Sequence, residues 1–301
     1  MIPALQAAFP AVSVRQVCAL LDLSRSWLYT RGPRAPQAGA VALRDAIERI
    51  VLEFPGYGYR RVTHALRRQG WVVNAKRVQR VMREESLLCQ LKRRFVVTTD
   101  SRHRFASYPN LLREQVVRRP NEAWVADITY IRLPTSFVYL AAILDACSRR
   151  VVGWELSPRI DTDLTLSALE RAIAARHPAP GLIHHSDHGV QYASTRYVER
   201  LEQLGADISM AAVGNVYENA LAESFFATLK REEVYLHDYH SLVEAEAHLE
   251  HFIDAVYNHK RLHSSLGYRP PSEFEASFDD EREHDDFLEG SSNLTLALVR
   301  C

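Results

Sequence analysis

The sequence predicts a mixed α/β domain preceded by small all-helical modules, and two observations carry this prediction. Beyond Pro120, short apolar segments rich in β-branched and aromatic residues alternate with amphipathic helical segments in the order βββαβαβα. That order predicts a mixed sheet with helices packed on both faces. Before Pro120, the periodic segments have helical spacing and are separated by stretches that contain Pro and Gly.

The N-terminal part is predicted to hold two helical modules. Residues 12–30 have the length and rhythm of a helix-turn-helix. A stretch rich in Pro and Gly follows and predicts a linker, and three helical patterns come next. We therefore expect a helix-turn-helix segment at 1–31, a linker at 32–40, a helical domain at 41–95 and a second linker at 96–119.

The α/β domain begins with a predicted three-stranded meander. Its strands are expected at 124–133, 137–144 and 151–156. A helix at 164–175, a strand at 182–185, a helix at 195–204, a strand at 207–210 and helices at 219–231 and 241–258 follow. We expect this domain to span 120–240, with a C-terminal helix and core extension at 241–275.

The end of the chain is strongly acidic. The last thirty residues, 272–301, hold nine acidic side chains against two basic ones. This composition predicts a solvated tail, and we place the acidic tail at 276–301.

The net charge of zero conceals a strong asymmetry. Residues 1–119 carry 22 Lys and Arg against 8 Asp and Glu, a charge of +14, while the remainder carries 15 against 29, a charge of −14. A basic half of this kind predicts a polyanionic partner, and DNA phosphates are favoured over the alternative of a merely solvated helical face. The expected DNA contacts in the helical domain are Arg60, Arg61, Arg67, Arg68, Lys76, Arg77 and Arg80.

Nothing in the sequence indicates a membrane or secreted protein. The apolar stretches are far shorter than the ~20 residues that cross a bilayer, and the first ten residues lack the pattern of a signal peptide. The four cysteines are scattered without a C-x-x-C pair, which is typical of reduced thiols. We expect a cytoplasmic protein.

Three carboxylates stand where ligands of a catalytic metal are expected. Asp127 interrupts an apolar strand, Asp187 follows a short strand, and Glu223 lies on an apolar segment of a helix. Neighbouring strand ends lie side by side, and a helix that crosses the sheet can bring in a third residue. Carboxylate oxygens suit Mg²⁺ or Mn²⁺, and a pair of such ions supports displacement at phosphorus. Ordinary turn, cap and surface roles are the alternative, but burying an acid within an apolar strand is costly without a partner.

Five sequence blocks resemble one family. They are YGYRRV at 57–62, WVADITYI at 124–131, HSDHGVQY at 185–192, GNVYENALAESFFATLK at 214–230 and YNHKRLHSSLGY at 257–268. Over residues 12–275 the chain resembles the catalytic-frame protein of the insertion-sequence-three family of bacterial DDE transposases, whose core is similar to ribonuclease H and retroviral integrases. The family separates its second Asp from its Glu by thirty-five residues, as Asp187 and Glu223 are separated here.

The resemblance implies a ribonuclease-H-like fold of the retroviral integrase type and a metal-dependent DNA transposase. Asp127, Asp187 and Glu223 would bind two Mg²⁺ ions, for which Mn²⁺ could substitute, and Lys230 would position phosphates at the DNA end. The reaction would be strand cleavage and strand transfer at the element ends. The implied partners are double-stranded DNA, further copies of the chain, and an upstream helix-turn-helix protein, separate or fused by ribosomal frameshifting.

More contacts with DNA are expected around the triad. Asn219, Glu223 and Lys230 are offset by four and seven residues and so share one helix face. His188 and Gln191 are expected to line the site beside Asp187. Arg261 belongs to a polar cluster near the end of the last helix, where a helix-dipole interaction is the alternative.

Zinc is not expected to be needed. The histidines at 177, 184, 185 and 188 lack a matching pair of cysteines. Two other functions stay open: a ribonuclease-H-like nuclease that only hydrolyses nucleic acid, and a DNA-binding regulator derived from such an element. An intact carboxylate triad argues against the regulator.

Overall fold

The computed structural model describes residues 13–20, 38–89, 108–113, 115–211 and 219–278. The chain divides into two compact units, Met1–Leu52 and Glu53–Cys301. The first unit contains helix α1 (Val14–Leu20) and nearly all of helix α2 (Ala38–Glu53). The second helix of the expected helix-turn-helix lies outside the described residues. Because α2 begins at Ala38, the predicted linker at 32–40 ends earlier than expected.

Helices α3 (Tyr59–Arg68) and α4 (Ala75–Glu84) form the helical pair that the sequence predicts. Buried apolar residues line their facing sides, with Val62 and Leu66 on α3 and Val78 and Met82 on α4. The Asn74 side chain caps α4 by accepting the Arg77 backbone N–H at 2.8 Å. Arg60 of α3 and Lys76, Arg77 and Arg80 of α4 are exposed.

The core of the second unit is a five-stranded sheet with strand order β3-β2-β1-β4-β5. Strands β1 and β2 and strands β2 and β3 pair antiparallel, whereas β1 and β4 and β4 and β5 pair parallel. The predicted mixed sheet is confirmed. The strands are β1 (Ala123–Arg132), β2 (Phe137–Asp145), β3 (Val151–Ser157), β4 (Ile183–Ser186) and β5 (Asp207–Met210).

Helices cover both faces of the sheet, as predicted. On one face, Trp124 and Ala126 of β1 pack with residues of α5 (Thr162–Arg176) and α6 (Thr195–Leu204). On the other, Val125 packs with residues of α7 (Ala220–Glu232) and α8 (Leu242–Glu250). This alternation along β1 is the two-residue period of a strand buried on both sides.

The C-terminal part differs from the prediction in two places. The expected helix at 241–258 is α8 followed by a π-helix, His251–Tyr257, which the apolar pattern alone could not distinguish from continued α-helix. Residues 271–278 form a further helix, α9, where the acidic composition from 272 onward had predicted a solvated tail. Residues 279–301 of that tail lie outside the described residues.

Helix α9 is tied to the sheet domain by a buried carboxylate. Glu275 accepts hydrogen bonds from Arg176 at 2.8 and 2.9 Å, from Arg150 at 2.8 Å and from the Ser148 hydroxyl at 2.7 Å. Burial raises the pKa of Glu275, but the two arginines and the serine outweigh it, so its pKa is lowered. These partners are about a hundred residues away in sequence, so composition could not reveal them.

Two of the sequence blocks pack against each other. In the block at 57–62, the Tyr57 hydroxyl accepts the backbone N–H of Leu262 at 2.7 Å, and Arg61 donates to the Leu262 carbonyl at 3.1 Å. Leu262 belongs to the block at 257–268, and the ring of Tyr268 from that block stacks on His64 at 3.6 Å between centroids. These contacts therefore fix α3 to the segment at 257–268. None of the described helices is long and apolar enough to cross a membrane.

Candidate active site

Strand register brings Asp127 and Asp187 together. Strands β1 and β4 are parallel, and Ala126 of β1 pairs with Ser186 of β4. Asp127 and Asp187 are the next residues along these two segments, and neighbouring strands lie about 4.8 Å apart. Backbone N–H groups orient both carboxylates: Ile128 donates to Asp127 at 2.7 Å and Gly189 to Asp187 at 2.9 Å.

Helix α7 supplies the third carboxylate. Its buried residues Ala222, Phe225 and Leu229 pack with β1 and β2 in one apolar cluster. The helix starts after Asn219, whose buried side-chain amide donates to the Ala126 carbonyl at 3.5 Å. Glu223 lies one turn into the helix and is exposed, so its carboxylate stands at the open side of the site.

The charges of Asp187 and Glu223 both act on Asp127. Burial, followed by the negative charges of Asp187 and Glu223, raises the Asp127 pKa from 3.8 to about 8. The Ile128 N–H and the Lys230 ammonium act in the opposite direction. A divalent cation would compensate this concentration of negative charge, and the donors are all hard oxygen atoms. The residues present therefore fit Mg²⁺ or Mn²⁺.

Lys230 lies two turns beyond Glu223 on α7, and its side chain contacts β1. Its ammonium is 4.7 Å from the centroid of the Tyr130 ring, three residues beyond Asp127 on β1. Burial lowers the Lys230 pKa, and the charge of Asp127 partly restores it. Asn219, Glu223 and Lys230 thus follow β1, in agreement with the shared helix face that their spacing predicts.

His188 and Gln191 lie in the turn that follows Asp187. Gln191 donates through its amide to the Ile160 carbonyl at 3.4 Å. A side chain at Gly189 would come within 2.9 Å of the Asp187 carboxylate and would displace it. The structure places His188 and Gln191 beside the triad, and their contact with DNA stays a prediction.

Tyr192 is a residue of this site that the sequence interpretation missed. Its side chain is buried, and its hydroxyl has no hydrogen-bond partner in the part of the chain that the structure describes. Burial, then the charges of Tyr197, Asp127 and Asp187, raise its pKa well above 10. Tyr192 is therefore a neutral donor next to the acids. The signal available in the sequence was its place at the end of the block at 185–192.

The basic residues of α3 and α4 separate into two groups. Arg67 donates to the Val73 carbonyl at 3.2 Å, and Arg68 forms an ion pair with Glu273 of α9, besides the contact of Arg61 with Leu262. These three side chains have partners within the chain. The others are exposed and carry no ion pair to a described residue: Arg60, Lys76, Arg77 and Arg80.

Arg261 does not lie where a DNA contact requires it. Its side chain is only 2% exposed and donates to both carboxylate oxygens of Glu232, at 2.7 and 2.8 Å. Glu232 is the last residue of α7, so the pair joins this helix to the segment at 257–268. The expected DNA contact of Arg261 is contradicted by this burial, since its guanidinium faces the protein interior.

Comparison with known proteins places the chain in a family. The integrase core domain family matches residues 117–216, a second integrase core domain family matches 204–271, and the HTH-like domain family matches 40–95. The chain is 37% identical over 248 residues to the transposase for insertion sequence element IS904 of Lactococcus lactis, covering 81% of this chain and 98% of that protein. It is 33% identical over 270 residues to the transposase InsF for insertion sequence IS3A of Escherichia coli, covering 87% and 94%.

The chain belongs to the IS3 family of bacterial insertion-sequence transposases. The transposase core is of the integrase type and is preceded by an HTH-like region, as the resemblance implied. The first core match contains Asp127 and Asp187, and the second contains Glu223 and Lys230.

Solved structures similar to the transposase include viral integrases. One is a simian T-cell lymphotropic virus intasome in complex with a regulatory subunit of PP2A, with a TM-score of 0.45, 15% identity and coverage of 76% of this chain and 74% of that one. Another is the HTLV-2 integrase catalytic core domain in complex with magnesium, with a TM-score of 0.41, 16% identity and coverage of 52% and 97%.

Proposed function

We propose that this transposase cuts DNA at the ends of its insertion sequence and joins the 3′ ends to target DNA in a reaction that depends on divalent metal ions. The observation that supports it best is that Asp127 in the middle of β1 neighbours Asp187 just past the end of β4, while the charges of Asp187 and of Glu223 on α7 help raise the Asp127 pKa to about 8. Groups arranged so that they repel one another are typical of functional sites.

The triad would hold two Mg²⁺ ions, with Mn²⁺ as a substitute. Asp127 and Asp187 would share the pair, and Glu223 would complete the ligands of one ion. When bound, such ions neutralise charge on the phosphate and make the attacking oxygen a stronger nucleophile. The exposure of Glu223 leaves this side of the site open to DNA.

The protein itself forms no covalent bond with DNA in this proposal. A phosphodiester P–O3′ bond at the element end breaks when water attacks, and the 3′ oxygen leaves. That 3′-hydroxyl then attacks a target phosphodiester, forming a new P–O bond as the target's own 3′ oxygen leaves. The Lys230 ammonium, held against Tyr130, would bind and orient the end phosphate.

DNA binding is assigned to the exposed cations of the helical pair. Lys76, Arg77 and Arg80 lie on α4 with their side chains exposed, as Arg60 does on α3. Phosphate contacts of this kind give most of the affinity for duplex DNA. Duplex element ends and target DNA are the proposed partners, with the chain acting as a homo-oligomer in the cytoplasm, alone or with an upstream helix-turn-helix protein.

Strand transfer on labelled duplexes that carry the element ends tests this function. With Mg²⁺, wild-type protein should both cleave and join, whereas Asp187→Asn and Glu223→Gln should bind the ends yet lose cleavage and joining, because each removes a metal ligand. Asp163→Asn is a matched control, since Asp163 is an exposed acid of α5 outside the site. Cleavage without any joining would favour the hydrolytic nuclease, and normal joining by either triad variant would contradict the proposal.

A further inference from the structure

A second cluster of metal-binding side chains lies at the far end of α7. Glu233 follows the last residue of this helix, His237 comes one turn later, and His248 lies on α8. One carboxylate oxygen of Glu233 is 3.0 Å from His237 Nδ1 and 3.2 Å from His248 Nδ1. The ligand atoms of the three residues all lie within 4.8 Å of one another.

The spacing of these atoms is close to that of a bound metal ion. Ligands about 2.0–2.2 Å from a tetrahedral Zn²⁺ lie roughly 3.3–3.6 Å from each other. The two observed Glu233 to histidine distances, 3.0 and 3.2 Å, need to open by only a few tenths of an ångström, and His237 Nδ1 would exchange its 2.9 Å contact with the Glu233 backbone carbonyl for the metal. The imidazole rings are 4.7 Å apart between centroids and tilted by 52°, so they are not stacked face to face.

The negative charge of Glu233 also favours a cation beside its carboxylate. Its side chain is 10% exposed, and the polar side chains that reach its carboxylate in the described structure are two imidazoles and the Tyr239 hydroxyl, at 3.0 Å. A buried carboxylate normally has an ammonium, a guanidinium or a metal ion as its partner. His237 and His248 are 40% and 41% exposed, which leaves one side open for an ion and its water ligands.

We propose that Glu233, His237 and His248 form a site for one divalent transition-metal ion, for which Zn²⁺ is the natural probe. Imidazole nitrogen selects Zn²⁺ and its neighbours over Mg²⁺, so the site differs in preference from the all-oxygen triad. The Tyr239 hydroxyl donates to the same Glu233 oxygen, Oε1, at 3.0 Å and so helps to hold it in place, as groups outside the ligand set commonly do.

The ion would fasten the end of α7 to α8. Glu233 is ten residues beyond Glu223, which corresponds to about 15 Å along a helix, so the site is separate from the triad. Its role is to hold the helix that carries Glu223 and Lys230, and none of its ligands takes part in the DNA chemistry.

Calorimetric titration of the full chain with Zn²⁺ in a large excess of Mg²⁺ tests the site. One Zn²⁺ per chain should bind, and His237→Ala/His248→Ala should weaken this binding at least tenfold. His240→Ala/His251→Ala is the matched control, since both residues are exposed histidines near the cluster, and it should bind as wild type. Co²⁺ should give the intense visible absorption of a four-coordinate nitrogen site in wild type and control only.

Glu233→Gln is a second variant that tests Zn²⁺ binding, and it serves if the histidine double variant does not fold. This change keeps the size of the side chain and one oxygen that accepts hydrogen bonds but removes its charge, so the protein should fold without metal and bind Zn²⁺ at least tenfold more weakly. Equal Zn²⁺ affinity in Glu233→Gln and wild type would overturn the site. Absence of Zn²⁺ binding by wild type would also overturn it and identify the cluster as a hydrogen-bonded group that holds protons only.

Discussion

At the proposed triad, a single buried acid lowers the stability of the folded chain. Asp127 is the clearest case, because its sequence context, an acid within an apolar strand, already indicated a function. What the sequence could not provide is the electrostatic environment, which depends on the register of β1 with β4 and on the position of α7. Tyr192 shows the same limit, since only the fold brings its ring next to two acids.

Replacing Asp127 should therefore have opposite effects on activity and stability. Asp127→Asn should abolish cleavage and joining, yet stabilise the metal-free protein by roughly 0.5–2 kcal/mol at pH 7.5. Because the folded-state pKa is raised from 3.8 to about 8, the unfolded chain releases the Asp127 proton as pH rises from 4 toward 8 while the native state keeps it, so stability falls with pH, and Asn has no proton to release.

Urea unfolding in EDTA measures this difference. The gap between variant and wild type should shrink at pH 4, close to the unfolded-state pKa of 3.8, because the unfolded chain then gains little by releasing the Asp127 proton. A variant clearly less stable than wild type at pH 7.5 would show that the carboxylate is stabilising, against this account.

At the level of elements, α3 and α4 have different tasks despite their similar composition. Both were predicted to contact DNA from their basic faces. The structure uses Arg61 and Arg68 of α3 to contact residues near 262 and 273, whereas the cations of α4 stay exposed. Periodicity predicted both helices, but it could not separate the two roles, because the partners of α3 lie about 200 residues away in sequence.

The two helices should respond differently when their charges are removed. Lys76→Gln/Arg77→Gln/Arg80→Gln should lower duplex DNA affinity and reduce the slope of log K against log[salt] by about 0.9 for each phosphate that the variant no longer neutralises. The matched variant Arg61→Gln/Arg67→Gln/Arg68→Gln removes the same charge and should lower thermal stability while leaving the salt slope nearly unchanged. Fluorescence anisotropy at several salt concentrations distinguishes them; equal slopes in the two variants would refute the division.

Across the whole molecule, the local sequence patterns predicted the strands and helices of the sheet domain closely. They could not predict the ion pairs between residues far apart in sequence. Arg261 was expected on DNA and is buried against Glu232, and Glu275 lay at the edge of an expected tail and is an anchor. Arg261 was misassigned, and Glu275 was expected only as the last residue of the core extension; both are charged residues, which composition assigns to the surface by default. Burial of a charge depends on a partner far away in sequence, and a single sequence does not show it.

The anchoring role of Glu275 can be compared with that of a neighbour on α9. Glu275→Ala should destabilise the transposase by about 3–5 kcal/mol, because it leaves two arginines facing a buried gap. Glu273→Ala removes an ion pair with Arg68 that is largely exposed and should cost about 0–1 kcal/mol. Urea unfolding of both variants measures the two losses of stability. Similar losses in Glu275→Ala and Glu273→Ala would mean that Glu275 does not anchor α9.

The packing of the block at 57–62 on the block at 257–268 delays the folding of the first block during synthesis. The hydrogen bond between Tyr57 and Leu262 joins residues 205 positions apart. At about 5–20 residues per second, the ribosome needs roughly 10–40 s to make the second partner after the first. During this interval the Tyr57 side of α3 stays uncovered, so the nascent chain exposes apolar surface that a chaperone can bind. The packing of the block at 57–62 is therefore completed only after the block at 257–268 has left the ribosome, and not when α3 itself forms.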